Sequence, residues 1–373
     1  MTSRGRIGLN LLYLRPGISG GAETYAAGLL AGLAEINRSW EIVVFLPMNA
    51  GDWPIPLGLD ARRVICAVDS NKRGRRHLFE QVALPALLER ESIDLVHSLA
   101  YTGPLFPRRL SIVSVLDANT TAFGRSMKPA DRVARSILPL LSAHRADRVL
   151  TISEFSRSEI MRAFNLPLQR VDVVYLGCGV LGVTSSETAT AFPSETTASL
   201  PGKYLVAFSG ESPHKNIEAL VRIVRRLREE GRLKHELVLI GHPPRRLRAR
   251  SGEGIHWLGY ISTSEVDEVL RRAAWLVFPS LYEGFGLPVL EAMSRGTPVI
   301  CSRAASLPEV AGDAAVYFDP LRESDIGDVI AEAAADRTRR ELLSQAGLRR
   351  AVLFSWRTTA LRTSDVYDSV LLG

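Results

Sequence analysis

The stretch Glu283-Gly284-Phe285-Gly286-Leu287-Pro288-Val289-Leu290-Glu291 is a turn from strand to helix with a carboxylate at either end. Upstream, Trp275-Leu276-Val277-Phe278-Pro279 reads as a buried parallel strand closed by a breaker. Downstream of Leu287 the pattern is a helix with proline at its first position. A glycine-rich turn of this kind is where an α/β protein holds a phosphate, because free backbone N–H groups and the positive helix end both point at the anion. Glu283 sits in the turn and Glu291 lies about one turn into the helix. One carboxylate can therefore face the group being transferred while the other reaches the hydroxyls of a nucleoside.

Outward from this turn, strands and helices alternate along the chain. Strands are expected at Ile7–Leu14, Glu41–Pro47, Asp94–Ser98, Ser111–Leu116 and Arg148–Ile152, with a helix over Ala22–Ile36. From Val180 to Pro201 the rhythm stops in a Ser/Thr-rich run without periodicity, which reads as an interdomain linker. A second alternating block follows, with strands at Tyr204–Ser209, Glu236–Ile240, Ile255–Leu258, Trp275–Phe278, Pro298–Ser302 and Ala315–Phe318. Ile217, Leu220, Val221, Val224 and Leu227 mark one face of a helix. The expected fold is α/β: two doubly wound parallel sheets, covered on both faces and opening a cleft at the carboxyl ends of their strands. The expected divisions are 1–180, a linker over 181–201, 202–355, and a C-terminal helix over 356–373.

Composition sets further bounds. A chain of 373 residues suits two domains, and 46% hydrophobic with 23% charged residues is ordinary globular composition. The 46 basic against 40 acidic residues leave +6, which suits an anionic ligand or a membrane surface. No interleaving of aromatic and basic residues points to nucleic acid. Cys66, Cys178 and Cys301 are too few and too scattered for a disulfide framework or a zinc site. They fit a reducing, cytoplasmic compartment. Met1-Thr2-Ser3-Arg4-Gly5-Arg6-Ile7 leads into a strand and not into a signal-peptide core. No apolar run reaches the roughly 18 residues of a spanning helix, so membrane contact is expected only at the periphery, on the inner face. Lys72-Arg73-Gly74-Arg75-Arg76, and Lys128 through Arg132, Arg135 and Arg145, are basic clusters that could lie on anionic lipid, although ordinary exposed helix faces explain them as well.

Two other turns carry chemistry. Pro16-Gly17-Ile18-Ser19-Gly20-Gly21-Ala22-Glu23 is not G-x-G-x-x-G, and the second strand ends at Pro47 without an acid for an adenosine ribose, so a nicotinamide or flavin site is not expected. Phe208-Ser209-Gly210-Glu211-Ser212-Pro213-His214-Lys215-Asn216 places a glycine and then a lysine at a helix start, which makes a diphosphate clamp. There is no Asp-x-Asp pair, Walker loop, Gly-x-Ser-x-Gly elbow, Cys-x-x-Cys or His-Glu-x-x-His.

With its glycines and the Leu287-Pro288 pair, the Glu283–Glu291 string resembles the E-x7-E signature of retaining glycosyltransferases of family 4 ("group 1"), which have the GT-B fold of two Rossmann-like domains. The resemblance covers nearly the whole chain and is strongest from about 203 to 320. It implies metal-independent transfer of a hexose from a nucleoside diphosphate sugar to a hydroxyl acceptor, such as a lipid-linked glycan, with no cofactor. Glu283 would bind the hexose, Gly286 and Leu287 the diphosphate, Glu291 the ribose, and Lys215, followed by Asn216, the leaving group. Phe285 and Gly210 would complete the donor site, and Leu258-Gly259-Tyr260 would cup the base. Gly20 and Gly21 would let backbone approach the diphosphate and the acceptor, and the final helix would cross back onto the first domain. The pattern looks most like bacterial mannosyl- and rhamnosyltransferases of polysaccharide assembly, which makes GDP-mannose the leading donor. The chain departs from the family in having Glu211 where many members have arginine, and Leu116-Asp117 where His-Asp is common. Leucine cannot donate a hydrogen bond, which leaves Asp117 or His97 to compensate. Two rival readings are a nucleotide-sugar 2-epimerase of the same fold and a non-catalytic nucleotide-sugar-binding protein.

Overall fold

Short runs of leucine and β-branched residues form the strands, and their pairing is parallel throughout both sheets. The computed structural model describes residues 5–36, 40–118, 129–179, 198–247 and 254–373, with only the backbone described for 129–136 and 245. The expected linker over 181–201 lies outside the described residues as far as 197. The chain divides into two compact units, Met1–Gly177 with Phe354–Gly373, and Cys178–Leu353.

In the first unit, β1 (Arg6–Asn10), α1 (Gly21–Glu35), β2 (Glu41–Pro47), β3 (Ala61–Cys66), α2 (Arg73–Arg90), β4 (Leu95–Ser98), β5 (Leu110–Ser114), α3 (Pro129–Arg145), β6 (Arg148–Thr151), α4 (Glu154–Phe164) and β7 (Val171–Val173) follow in order. The sheet order is β3-β2-β1-β4-β5-β6-β7. In the second unit, β8 (Tyr204–Phe208), α5 (Ile217–Glu229), β9 (Glu236–Ile240), β10 (Ile255–Gly259), α6 (Thr263–Arg272), β11 (Trp275–Phe278), α7 (Leu287–Ser294), β12 (Val299–Ser302), α8 (Leu307–Ala311), β13 (Ala315–Phe318), α9 (Glu323–Ala335) and α10 (Arg337–Ala351) build a sheet of order β10-β9-β8-β11-β12-β13. The apolar face of α5, Ile217, Leu220, Val221, Val224 and Leu227, is buried with Leu205, Val277 and Ile300. The two parallel sheets of the expected fold are both present.

Two expectations need correction. The first strand stops at Asn10 and not at Leu14, because the Asn10 side chain accepts the Leu12 N–H (3.1 Å) and Leu14 N–H turns back onto the Leu11 carbonyl (2.9 Å). Leu11, Leu12 and Leu14 are fully buried, so the apolar run reports burial and not extension. Two strands, β3 and β7, lay outside the expected set. Both are sheet edges. An edge strand needs no continuous apolar run, and Arg62, Arg63 and Ile65 of β3 are exposed.

The final helix α11 (Trp356–Leu372) packs in the first unit against α1. Gly28 and Gly32 of α1 make room for it: a Cβ on Gly32 would lie 2.0 Å from the Trp356 carbonyl oxygen. A hydrogen-bonded chain beneath the contact runs from Tyr25 Oη to Ser114 Oγ (3.0 Å), to His97 Nε2 (2.8 Å), and from His97 Nδ1 to Tyr367 Oη (2.7 Å). Among the described residues, no helix is long and apolar enough to cross a membrane.

Gly32→Ala tests this contact. Alanine gains about 1 kcal/mol of helix propensity, whereas overpacking costs about 1–3 kcal/mol or more and the obstructing atom is backbone. A net loss of about 1–2 kcal/mol in denaturant unfolding is expected; equal or higher stability would mean that α11 is not seated as described.

Candidate active site

A parallel sheet binds ligands where its strand order reverses, because the connections on either side of that point diverge and leave a crevice at the strands' carboxyl ends. In the second unit the reversal falls between β8 and β11. The loop leaving β8 carries Gly210, Lys215 and Asn216; the loop leaving β11 carries Glu283, Phe285, Gly286 and Leu287. Both loops bend back toward one another. Leu281 N–H donates to the His214 carbonyl (2.7 Å), and Lys215 Nζ lies 2.7 Å from Glu283 Oε1. The ammonium also stands 5.4 Å from the centre of the Phe278 ring. The ion pair is mostly shielded, with side-chain exposures of 27% and 13%, so it is stronger than a surface pair and still open to a ligand.

Each loop is braced. Asn216 adopts the left-handed conformation (φ 56°) at the start of α5, and its side-chain amide donates to the Pro320 carbonyl (3.2 Å). Below the second loop, the hydroxyl of the fully buried Ser306 lies 2.9 Å from the carbonyl oxygens of both Glu283 and Phe285. Gly286 takes φ 104°, and a Cβ there would sit 2.7 Å from Leu307 Cδ2. It opens α7 without a side-chain cap; the Val289 N–H bonds the Gly286 carbonyl (2.9 Å) and Pro288 has no N–H, so the Gly286 and Leu287 N–H groups are those left at the helix's positive end without an intrahelical acceptor.

Glu291 is half-buried on α7, where burial pushes its carboxyl above the usual glutamate range and Arg295 partly offsets that. Arg295 is fixed by Asp267 (2.6 Å) and by the Glu291 carbonyl (2.8 Å). Gly259 ends β10 with φ 69° and accepts the Gly241 N–H (2.7 Å); Tyr260 is 83% exposed and meets the His242 ring edge-on at 4.6 Å. Gly210 and Glu211 line a cavity of about 530 Å³ with Asn216, Arg222 and Arg246.

Gly20, Gly21 and Asp117 belong to the first unit. Gly20 holds φ 54° at the start of α1. Glu23 pins that loop from within the helix, accepting the Gly17 N–H (3.0 Å) and the Trp53 indole N–H (3.2 Å). Asp117 is half-buried just beyond β5, next to buried Leu116. His97 cannot replace a missing histidine: it is fully buried, both ring nitrogens are engaged, and burial pushes its pKa down to about 3. It is a neutral structural residue. Among the described residues no cluster of His, Cys, Asp or Glu is placed to hold a metal ion.

Ser306, Arg295 and His242 carry no chemistry that type and spacing reveal. Ser306 belongs to the segment Ser306-Leu307-Pro308-Glu309, but its support of the turn depends on a fold-back that local sequence does not show.

The geometry can be set beside known proteins. Residues 203–336 match the family "Glycosyl transferases group 1" and residues 19–178 match "Glycosyltransferase Family 4". The chain is 35% identical over 288 residues to O-antigen chain mannosyltransferase B of Escherichia coli, covering 72% of this chain and 73% of that protein. The chain belongs to the family 4 glycosyltransferases. It is 31% identical over 238 residues to the MMP alpha-(1->4)-mannosyltransferase of Mycolicibacterium hassiacum, covering 61% of this chain and 56% of that one. Sucrose-phosphate synthase from Thermosynechococcus elongatus shares the fold, with a TM-score of 0.78 at 20% identity over 99% of both chains. The glycosyltransferase thus has the GT-B fold that its sequence pattern implied.

The raised Glu291 carboxyl has a stability consequence. The folded protein binds this proton more tightly than the unfolded chain, so the stabilising proton is present at low pH and lost as pH rises from the ordinary value of 4.5 through the raised one. Glu291→Gln should therefore raise the melting temperature at pH 7 and flatten its fall with pH above 4.5. A lower melting temperature at pH 7 would show that the carboxylate is stabilised there.

Proposed function

We propose that this glycosyltransferase transfers mannose from GDP-mannose to a hydroxyl of a growing polysaccharide or glycolipid, with retention of configuration and without metal or cofactor. The observation that carries the reading is the Lys215–Glu283 contact at the sheet's reversal point, beside the uncapped start of α7. The mannosyl assignment is supported by the names of the two curated relatives, both mannosyltransferases. The acceptor would lie on the first unit, beside Gly20 and Gly21, and the setting would be cytoplasmic, at the inner face of a membrane.

In this reading the diphosphate meets the N–H groups of Gly286 and Leu287 and draws Lys215 off Glu283. The ammonium then neutralises the leaving phosphate, and the freed Glu283 carboxylate accepts hydrogen bonds from the hexose hydroxyls. Glu291 holds the ribose, and Gly259 with Tyr260 bounds the base. The bond from the anomeric carbon to the phosphate oxygen breaks as the acceptor oxygen bonds to the same face. The acceptor proton passes to the departing phosphate. No enzymic nucleophile is required.

Glu283→Ala should abolish transfer while calorimetric GDP binding survives, and unchanged turnover would refute its role. Lys215→Ala should weaken GDP binding by about 1–3 kcal/mol, the value of a charged hydrogen bond, and transfer should persist in chelator. In a calorimetric panel of nucleotide sugars GDP-mannose should bind most tightly; a UDP-sugar in that place would overturn the donor assignment.

A further inference from the structure

A cavity of about 1070 Å³ opens in the first unit at the amino ends of β1, β4 and β5, the opposite end of the sheet from Gly20 and Asp117. The strand starts, the turn Pro107-Arg108-Arg109, the end of α3 and the end of α11 wall it. Its charged groups are of both signs, and most are fixed. Asp94 Oδ2 accepts the Arg6 N–H and Asp147 Oδ2 accepts the Ser111 N–H, each at 2.7 Å. One such bond leaves each carboxylate with further lone pairs, since an ionised carboxylate accepts at about four sites. Arg108 takes φ 55°, uncommon for a residue with a side chain, and its guanidinium reaches Glu89 (3.3 Å). Arg145 lies over the Phe106 ring, 4.9 Å from its centre. It is not needed to cap its own helix, because Arg170 Nη2 donates to the carbonyls of Ala143 (3.2 Å) and His144 (3.3 Å). Neither the Arg109 nor the Arg145 guanidinium forms a hydrogen bond or ion pair with another described residue.

The balance of these groups selects the ligand. Three guanidiniums, of Arg108, Arg109 and Arg145, line the cavity with three carboxylates, of Asp94, Asp147 and Asp368. An anion attracted by the first set is repelled by the second, and a cation meets the reverse. A ligand rich in hydroxyls uses both sets, because each hydroxyl donates one hydrogen bond and accepts two. Leu110, Leu371 and Leu372 add apolar wall. Phe106, next to Pro107 and 66% exposed, adds aromatic surface. A sugar ring presents C–H faces to such surfaces while its hydroxyls reach the arginines and aspartates.

We propose that this cavity binds an uncharged oligosaccharide, as a second site for a stretch of glycan already built. That the glycan is the enzyme's own product rests on the proposed polysaccharide function; the oligosaccharide site does not. Holding a chain at a second point raises the effective concentration of its growing end. The full chain is titrated by calorimetry with α-linked mannotriose and, separately, with maltotriose, with no sugar donor present. Saturable binding of at least one is expected. Arg109→Ala with Arg145→Ala should weaken it about tenfold or more, the equivalent of losing one charged hydrogen bond. Melting temperature without ligand should not change, because both side chains are exposed. Asp147→Asn keeps an oxygen for the Ser111 N–H but removes an acceptor, and should weaken the sugar as well. No binding of either sugar, or equal affinity with and without the two arginines, overturns the proposal. So does binding of inorganic phosphate in place of sugar, abolished by the arginine pair and strengthened by Asp147→Asn, since the cavity would then be an anion site. The titration contains no donor and counts either sugar, so a failure of mannosyl transfer would not alter its outcome.

Discussion

Parallel strands buried on both faces send every connection out at one edge or the other, and in the second unit the order β10-β9-β8-β11-β12-β13 reverses direction once. That reversal is the constraint on which the candidate site depends. Had β8 and β11 been separated by another strand, the Lys215 and Glu283 loops would stand at least one strand spacing, about 4.8 Å, further apart. Their 2.7 Å contact and the Leu281–His214 backbone bond would then be lost. Topology does the long-range work, and hydrogen bonds from Asn216 and Ser306 do the fine placement.

The electrostatics of the site follow from this placement. Lys215 and Glu283 neutralise one another in a partly dry crevice, which limits the penalty of holding either charge there without ligand. Among the described residues Glu291 has no equally close ion-pair partner, and Arg295 offsets its desolvation only in part. His97 shows the opposite outcome. A residue type suited to proton transfer is buried, kept neutral and bonded at both nitrogens, and its chemistry is converted into the seating of α11.

Much of the fold was legible in sequence because buried parallel strands are written as apolar runs, as in Tyr204–Phe208, Glu236–Ile240 and Trp275–Phe278. The same rule misled where burial and extension part company, at Leu11–Leu14, and was silent where an edge strand needs few apolar residues, at Ala61–Cys66. In the candidate site, type and spacing pointed to Lys215, Glu283, Glu291 and the glycines between, and the structure brings Lys215 and Glu283 into contact. Residues that act by supporting others could not. Ser306 supports a turn about 20 residues upstream, and Arg295 steadies the surroundings of Glu291 through Asp267. Neither relation has a local pattern, since both arise only when separate elements are packed.

The glycines separate into classes that sequence alone does not distinguish. Gly28 and Gly32 are required by packing, because any side chain would enter α11. Gly286 is required both by its φ of 104° and by Leu307. At Gly21 and Gly210 neither reason applies: the backbone is ordinary and a Cβ would meet nothing within 4 Å. Gly202 shares that open geometry but precedes β8, at the edge of the sheet where no ligand is expected, and there it is a plain surface residue. Gly21 and Gly210 instead follow the carboxyl ends of β1 and β8, the strands that border each sheet's reversal. Bare backbone at such positions leaves room for close approach from outside, and Gly74, in the helix that follows β3, shares the same open geometry. Packing and backbone strain therefore account for Gly28, Gly32 and Gly286 but not for Gly21 and Gly210 at the two loops, where open space alone is shown.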